Sequence, residues 1–529
     1  MKVLITDKIN DIAKKILVEG KGIKADILPT MSEDELCKKI VDYDALMIRS
    51  QTKVTKKIID SAKNLKIIGR AGVGVDNVDI DSATQKGVIV VNSPDGNTNA
   101  AAEHTVALML SMARNIPAAA ESTKHGLWER SKFTGTEVYG KTLGIIGLGK
   151  IGSHVAQVAL ALGMKVIVCD PYTSQEAVEA LGCEYIAHLD VFWERCDFIS
   201  IHTPKTRETA HLINKNSLNR MKKGVKIINC ARGGIIDEAA LKEALESGQV
   251  SSAAIDVFEE EPDIKNSPLL EVADKVVLTP HLGASTSEAQ LNVAVDVANQ
   301  IKEVLTGGSA TSAVNIPSLK PSILEPVKDY MQLAENIGEL AEQIAEGNLK
   351  SIEISAKGTL ASLDISPLQT AVIKGVFASF TDNVNYVNAP ILAKQKGISI
   401  TTSKSETSGD YIGLIAVKLI TSTSETSVSG ALIAENIKRI VKIDQYNTSI
   451  EPEKHMLLVS HENKPAMIAK VATVIGEAGI NINRMHVVQK VGDNSLMVIN
   501  TDSAVDKKVI EKIEKIDGVA TPKYVKLTA

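Results

Sequence analysis

Residues 141–170 read KTLGIIGLGKIGSHVAQVALALGMKVIVCD. A short apolar run ends in Ile145-Ile146, the chain turns through Gly147, Gly149 and Gly152, a stretch of helical periodicity follows, and Val166–Cys169 closes on Asp170. This is the pattern of a βαβ unit. Its glycines allow a tight turn, close approach of the backbone to a pyrophosphate, and close packing of helix on strand; the phosphates then meet the free N–H groups of the helix N-terminus. Asp170 stands where a carboxylate accepts hydrogen bonds from an adenosine ribose, and its charge repels a 2′-phosphate, so the stretch predicts NAD rather than NADP. Glycine turns alone are common, and the terminal Asp after two strands and a helix is what gives this one meaning.

At 529 residues the chain exceeds what one core organises, which predicts three or four domains. Apolar residues at 44% and charged residues at 23% describe an ordinary globular protein. Lys+Arg 59 against Asp+Glu 64 leaves a net charge of −5 with no polybasic tail, and aromatics are only 3%, so neither nucleic acid nor a membrane surface is expected as a partner. The five cysteines, Cys37, Cys169, Cys183, Cys196 and Cys230, show no C-x-x-C spacing; reduced thiols in a cytoplasmic protein, and no metal site, are expected. MKVLITD enters a strand-like run without a signal-peptide pattern, and the longest apolar candidate, Ala100–Ala113, carries Glu103 and His104.

Working outward toward the N-terminus, strand-like runs Val3–Ile5, Ile27-Leu28, Ala45–Ile48, Lys66–Ile68 and Val88–Val91 alternate with helical stretches, which predicts a parallel sheet covered by helices. Three loops follow strand ends, where ligands of such sheets bind: Arg49–Lys53, Arg70–Gly74 and Asn92–Asn97. Singly, each is as well read as a solvated turn. Together, two arginines and a glycine-rich loop point to a small anion. Ala100–Arg114 reads as a crossover helix, and the basic segment Lys124–Phe133 as a loop whose Arg130 and Lys132 reach a neighbouring subunit's active site.

Beyond Asp170 the strands Phe198–Ile201, Val225–Asn229, Ala253–Val257 and Val276–Leu278 end in His202-Thr203-Pro204, the loop 230–234, Glu261-Pro262 and Pro280–Gly283. Oxidising a secondary alcohol requires a base for the hydroxyl proton and a grip on the substrate. His281 suits the first task with a carboxylate partner such as Glu261, and Arg232 the second. Glu259 and Glu260 look equivalent to Glu261 on these grounds alone.

GLGKIG (147–152), INCARGGIIDE (228–238), DVFEEEP (256–262) and PHLGAST (280–286) resemble the D-2-hydroxyacid dehydrogenase family. RSQTKVT (49–55), GRAGVGVDN (69–77) and SPDGNT (93–98) narrow the resemblance to its branch acting on 3-phosphoglycerate, the entry to serine synthesis. The resemblance implies catalytic roles for Arg232, Glu261 and His281, the Glu before Pro262 being the one that orients the His. It implies substrate contacts from Arg49, Arg70, Asn97, Arg130 and Lys132. It also implies contacts to NAD from Gly147, Gly149, Lys150, Ile151, Gly152, Asp170, Thr203, Cys230, Ala231, Arg232, Asp256, His281 and Gly283. Val73 departs from the Thr of many relatives. Two alternatives stay open: a glyoxylate or hydroxypyruvate reductase, and an NAD-sensing, corepressor-like interaction protein.

Ser287–Leu305 is helix-periodic and is expected to return to the first domain; Gly307–Pro321 has a linker's composition. From Ser322 to about Pro452 strand-like stretches include Ile352–Ser355 and Leu414–Leu419, and the polar segments Thr401–Ser408 and Thr421–Ser429 read as hairpin loops. Met456–Ala529 reads βαββαβ, a ferredoxin-like order resembling an ACT domain. HENKPA (461–466) and AGIN (478–481) resemble serine-binding loops, which implies L-serine as effector at His461, Asn463 and Asn481, with Ala466 in place of a usual Gly. The expected architecture is α/β: a discontinuous substrate-binding domain (1–97 and 284–310), an NAD-binding Rossmann domain (98–283), an intervening α/β domain with a regulatory, anion-binding role implied by resemblance (318–452), and an ACT domain (455–529), assembled as a homodimer or homotetramer.

Overall fold

The computed structural model describes residues 1–308, 310–316, 321–380, 384–434, 437–489 and 494–528. Strands β1 (Lys2–Ile5), β2 (Lys24–Ile27), β3 (Ala45–Ile48), β4 (Ile67–Arg70) and β5 (Ile89–Val91) form a parallel sheet in the order β2-β1-β3-β4-β5. The second strand is thus earlier than the run Ile27-Leu28 that marks its end, because its register is set by pairing Lys24–Ile27 against all four residues of β1. β3 is buried at every residue, as a strand covered on both faces must be. The helix Ser287–Leu305 lays Val293, Val297 and Ile301 onto this sheet and onto helix Ile12–Glu19. Val297 and Ile301 are wholly buried, each contributing roughly 1.5–3 kcal/mol, which ties the returning segment to the first domain.

The linker expected over Gly307–Pro321 is corrected in its middle. Val314 N–H donates to Val90 O at 2.8 Å, and the Asn315 amide accepts from Val90 N at 2.9 Å and donates to Val88 O at 2.9 Å. Ala313 and Ile316 are buried against the same core. A polar composition that suits a loop here serves as a backbone mimic along a sheet edge, so the first domain's second piece runs to Ile316 rather than to residue 310. Residues 317–320 of that stretch lie outside the described residues.

A second parallel sheet holds β6 (Thr142–Ile146), β7 (Lys165–Cys169), β8 (Glu184–Tyr185), β9 (Phe198–Ile201), β10 (Val225–Asn229), β11 (Val250–Ile255) and β12 (Val276–Leu278), in the order β12-β11-β10-β9-β6-β7-β8. Strand order reverses between β6 and β9, so the glycine turn and the loop after β9 flank one crevice at the carboxyl ends of the strands. The first sheet reverses between β1 and β3, which places the loop after Ile48 at its own crevice. A crossover helix, Thr98–Ala113, joins the two domains.

The third sheet is mixed: β13 (Leu349–Gly358), β14 (Ser399–Ser405), β15 (Gly413–Thr421), β16 (Glu425–Ala434), β17 (Ile437–Ile443) and β18 (Tyr446–Ile450), in the order β14-β13-β15-β16-β17-β18. Thr401–Ser408 is therefore not a hairpin loop. Its first part is an exposed edge strand paired parallel to β13, with Ser403 Oγ 2.7 Å from Ser355 Oγ; an edge needs only one buried neighbour and tolerates an all-polar sequence. In Thr421–Ser429 only residues 422–424 are the turn.

β19 (His455–Glu462), β20 (Ile482–Gln489), β21 (Asn494–Thr501) and β22 (Lys523–Lys526) form an antiparallel sheet in the order β20-β21-β19-β22, with helices Met467–Glu477 and Lys507–Glu514 completing βαββαβ. The strand expected over Met485–Val491 is β20, and its last residues lie outside the described residues. This module is not packed as a separate bead. Met456, Leu458, Val498 and Val525 join Leu333, Ile337 and Leu340 of helix Met331–Ile344 in one hydrophobic core. Among the described residues, no helix is long and apolar enough to cross a membrane.

Candidate active site

The glycine turn is built as its residues dictate. Gly147 has φ 90°, and a Cβ there would sit 2.8 Å from His202 O, so only glycine fits. Asp170 Oδ2 accepts from Leu148 N at 2.6 Å and Oδ1 from Tyr172 N at 2.7 Å. The carboxylate thus pins the turn to the end of β7 and keeps a second lone pair on each oxygen for a ribose. A Cβ at Gly149 would meet nothing within 4 Å, which leaves room for phosphates over the start of helix Lys150–Ala161. Thr203 Oγ1, on the facing loop, is buried without a partner. Beneath it His202 bonds Ser200 Oγ at 2.8 Å, and burial holds its pKa down to about 4, so it adds no charge. Lys150 reaches Asp95 on the 92–97 loop and ties the second domain to the first.

Across the crevice, His281 Nδ1 lies 2.7 Å from Glu261 Oε2, and Glu261 Oε1 accepts from Phe258 N at 2.9 Å. Burial alone would raise the Glu261 pKa, but these two bonds and the nearby imidazole outweigh it and hold the carboxyl below its usual value. The neighbouring glutamates are placed elsewhere: Glu259 accepts from Glu238 N at 3.2 Å and pairs with His211, and Glu260 is exposed. His281 adopts φ 55°, a left-handed conformation that costs on the order of 1–3 kcal/mol for a residue of its type. Asp256, expected as a cofactor contact, is wholly buried; its carboxylate accepts from Leu282 N, Gly283 N, Thr279 Oγ1 and His104 Nε2. The structure therefore gives Asp256 the shaping of the His281 turn. His104, Cys230 and Asp256 bring metal-ligating atoms within 4.8 Å of one another, but with four donors on Asp256 the group is a hydrogen-bonded cluster.

Three guanidinium groups converge between the domains. Arg232 Nε donates to Asp76 Oδ2 at 3.1 Å, and a Cβ at Gly74 would lie 2.1 Å from Arg232 Nη2, so that glycine admits the arginine from the other domain. Arg70 is drawn down to about 10 by burial first, then by repulsion from Arg232 and Arg49, which outweighs the attraction of Asp76 and Asp7, so it is charged at neutral pH in surroundings that are net positive. Its Nε has no partner. Asn97, at the start of the crossover helix, does not cap it, and its Oδ1 is buried and unbonded; Ser93 Oγ is likewise alone. Of the six buried side-chain polar atoms without a partner among the described residues, four lie on these loops. Each unmet group costs about 1–3 kcal/mol. A ligand with several acceptor and donor atoms removes that cost.

Arg130 and Lys132 are exposed beyond helix Ile116–Lys124, Lys132 lying 3.5 Å from Glu129, and the structure joins neither to His281 within the chain. At the other end of the molecule, His461 is 4% exposed, its Nδ1 donates to Glu462 O at 2.8 Å and its Nε2 is unpartnered. Asn463 and Asn481 are exposed, and neither hydrogen-bonds His461. Ala466 sits at φ 68°, a backbone suited to glycine. Sequence reading passed over four residues. Asp7 follows β1 and accepts from Arg49 N at 2.8 Å and Thr52 N at 3.1 Å; its place after the first apolar run was the available signal. Asp76, His104 and Thr279 carried none, because their partners are 150 residues or more distant or are buried in a turn.

Comparison with known proteins agrees with this layout. The chain matches the D-isomer specific 2-hydroxyacid dehydrogenase NAD binding domain over residues 106–283, the D-3-phosphoglycerate dehydrogenase intervening domain over 326–444 and the ACT domain over 455–518. It is 46% identical to D-3-phosphoglycerate dehydrogenase of Synechocystis sp., covering 99% of this chain and 95% of that protein. It is 42% identical to the protein of the same name from Archaeoglobus fulgidus, covering all of both. Among solved structures, D-lactate dehydrogenase of Aquifex aeolicus, complexed with NAD and lactic acid, is 29% identical with a TM-score of 0.52, covering 58% of this chain and 96% of that one. A glyoxylate reductase from Paecilomyes thermophila is 30% identical with a TM-score of 0.55, covering 60% and 99%.

Proposed function

The chain belongs to the D-3-phosphoglycerate dehydrogenase family, and on that premise we propose that its interdomain crevice oxidises 3-phospho-D-glycerate to 3-phosphohydroxypyruvate, the first step toward L-serine. NAD bound over the glycine turn supplies the hydride acceptor. The observation that carries the substrate choice is the meeting of Arg49, Arg70 and Arg232 around unmet polar atoms, beside the His281–Glu261 pair. A substrate with a carboxylate and a phosphate supplies the missing negative charge; glyoxylate, with one carboxylate, does not.

In this reading Nδ1 of His281 carries its proton toward Glu261, which leaves the Nε2 lone pair to take the hydroxyl proton as the C2 hydride departs. Glu261, ionised at neutral pH, stabilises the imidazolium that results. Arg232 grips the carboxylate and polarises the nascent carbonyl, while Arg70 and Arg49 face the charged remainder. Asp170 and the Thr203 hydroxyl receive the ribose and phosphate groups of the dinucleotide. The test is the absorbance of reduced nicotinamide on mixing protein, NAD and 3-phosphoglycerate. Steady production supports the assignment. NAD binding without turnover would favour an interaction protein, and turnover confined to glyoxylate a reductase.

L-serine is our choice of effector at the C-terminal module, supported by the unpartnered Nε2 of the buried His461. Added to the same assay it is expected to lower the rate; an unchanged rate with serine bound elsewhere would leave the module structural. Exposed Ile116, Leu127 and Trp128 on one stretch suit a contact with a second copy, hence a homodimer or homotetramer that brings Arg130 and Lys132 to a neighbour. The five cysteines are free, which suits the cytoplasm.

A further inference from the structure

The His281 turn is held from a distance, and the holder is on the crossover helix. His281 N–H donates to Asp256 O at 2.9 Å, and the two amides after it, Leu282 N at 2.8 Å and Gly283 N at 2.9 Å, donate to the two oxygens of the Asp256 carboxylate. Thr279 Oγ1, two residues before His281, donates to Oδ1 at 2.5 Å. Every one of these bonds belongs to the turn or its own sheet except one. His104 Nε2 lies 3.1 Å from Asp256 Oδ1 and 3.3 Å from Thr279 Oγ1, and His104 belongs to the helix that leads from one domain into the other. An ionised carboxylate only accepts, so the Nε2 facing it carries a proton.

We propose that His104 is a positioning residue for the oxidation: through Asp256 it fixes the left-handed His281 turn relative to the crossover helix, and so sets where the imidazole meets the substrate hydroxyl. The chemistry explains the residue type. The helix backbone has no free donor to offer at its middle, and a side chain with a planar, fixed N–H reaches the buried carboxylate without bringing a permanent charge. Cys230, its neighbour around the carboxylate, offers only a weak thiol donor, and Thr105, next to His104 on the helix, is already committed, its Oγ1 donating to Ala101 O at 2.8 Å. With Asp256 one donor short, the turn is free to relax from the conformation that points His281 at Glu261, and a displacement of about 1 Å at a reacting group lowers rates by as much as about 100-fold.

This inference rests on His281 being the acid/base, so the experiment includes His281→Ala alongside His104→Ala and His104→Gln. The glutamine amide donates in place of the imidazole. We expect His104→Ala to lower kcat by about tenfold or more, to leave KM for NAD within about twofold of wild type, and to displace the acidic limb of the kcat/KM profile, because the His281–Glu261 pair no longer has one geometry. His104→Gln restores most of kcat and the wild-type profile. If His104→Ala turns over at the wild-type rate with an unmoved profile while His281→Ala is inactive, the positioning role is wrong and the site assignment stands. If both histidine variants at 104 lose activity only in proportion to folded protein, measured by near-UV circular dichroism, His104 is a packing residue and the proposal fails. If His281→Ala itself retains turnover, it is the site assignment that fails.

Discussion

Two parts of the molecule bury polar groups in quantity, and they do so in opposite ways. In the interdomain crevice Arg70 Nε, Ser93 Oγ, Asn97 Oδ1 and Thr203 Oγ1 are buried without partners. Along helix Met331–Ile344, which packs on the C-terminal module, the buried carboxylates are met: Glu335 within the third domain by Lys374 at 2.5 Å and Tyr386 at 2.7 Å, and Glu339 across the seam by Thr528 N at 2.7 Å and the Thr528 hydroxyl. A group that the chain leaves unmet at a cost of about 1–3 kcal/mol is one that something else meets; a group met internally has its purpose inside the fold. The crevice is thus built for a ligand and the seam for rigidity, which makes the C-terminal module one body with the third domain.

The contrast can be broken most sharply at His281. His281→Ala is expected to lower kcat by about 10²–10⁴-fold without changing the urea midpoint, as befits a crevice residue; a comparable loss of stability would place it with the seam. Lys374→Met is the converse. It removes the cation of a buried pair and should lower unfolding free energy by about 3 kcal/mol, with kcat per folded molecule unchanged. Arg70→Met should lower kcat/KM for 3-phosphoglycerate by roughly tenfold to a hundredfold, the worth of a charged hydrogen bond, while NAD affinity stays constant. Ala466→Gly relieves a left-handed alanine and should stabilise the C-terminal module by about 1 kcal/mol in differential scanning calorimetry. The smallest effect is in pH. Burial raises the Glu339 pKa, so its contribution to stability is full below the unfolded value of about 4.3 and is lost as pH rises through the raised folded value. Asp256 is the reverse: burial opposes ionisation, the bonds from His104 and Thr279 outweigh it, and stability from its lowered pKa is lost as pH falls through it. Glu339→Gln should therefore flatten the decline in urea midpoint as pH rises above the unfolded carboxyl value of about 4.3, and Asp256→Asn should not.

The two parallel sheets were legible in the sequence because buried strands of such sheets are continuous apolar runs, and the loops at their ends carry the chemistry. Glu261 could be chosen from three glutamates only through resemblance; the structure shows the physical ground, since Glu259 is held by Glu238 N and His211. The long-range brace His104–Asp256 left no trace, as its residues are 152 apart and neither lies in a periodic pattern that singles it out. The edge strand Ser399–Ser405 was invisible for another reason. Almost all of it is exposed, so no alternation of apolar and polar residues marks it, and only the unpaired rim of β13 makes it a strand. The docking of Ala313–Ile316 on β5 was hidden likewise by a composition that suits loops.

The measurement that bears most directly on the crevice is kcat/KM for 3-phosphoglycerate against unphosphorylated D-glycerate, with NAD saturating. Three converging guanidiniums, of which Arg70 is held down to about 10 by burial and by its two neighbours, predict a preference for the phosphorylated substrate of about a hundredfold or more. Equal values for the two substrates would contradict that, because the unmet groups around Arg70 would then have no part in choosing what is oxidised.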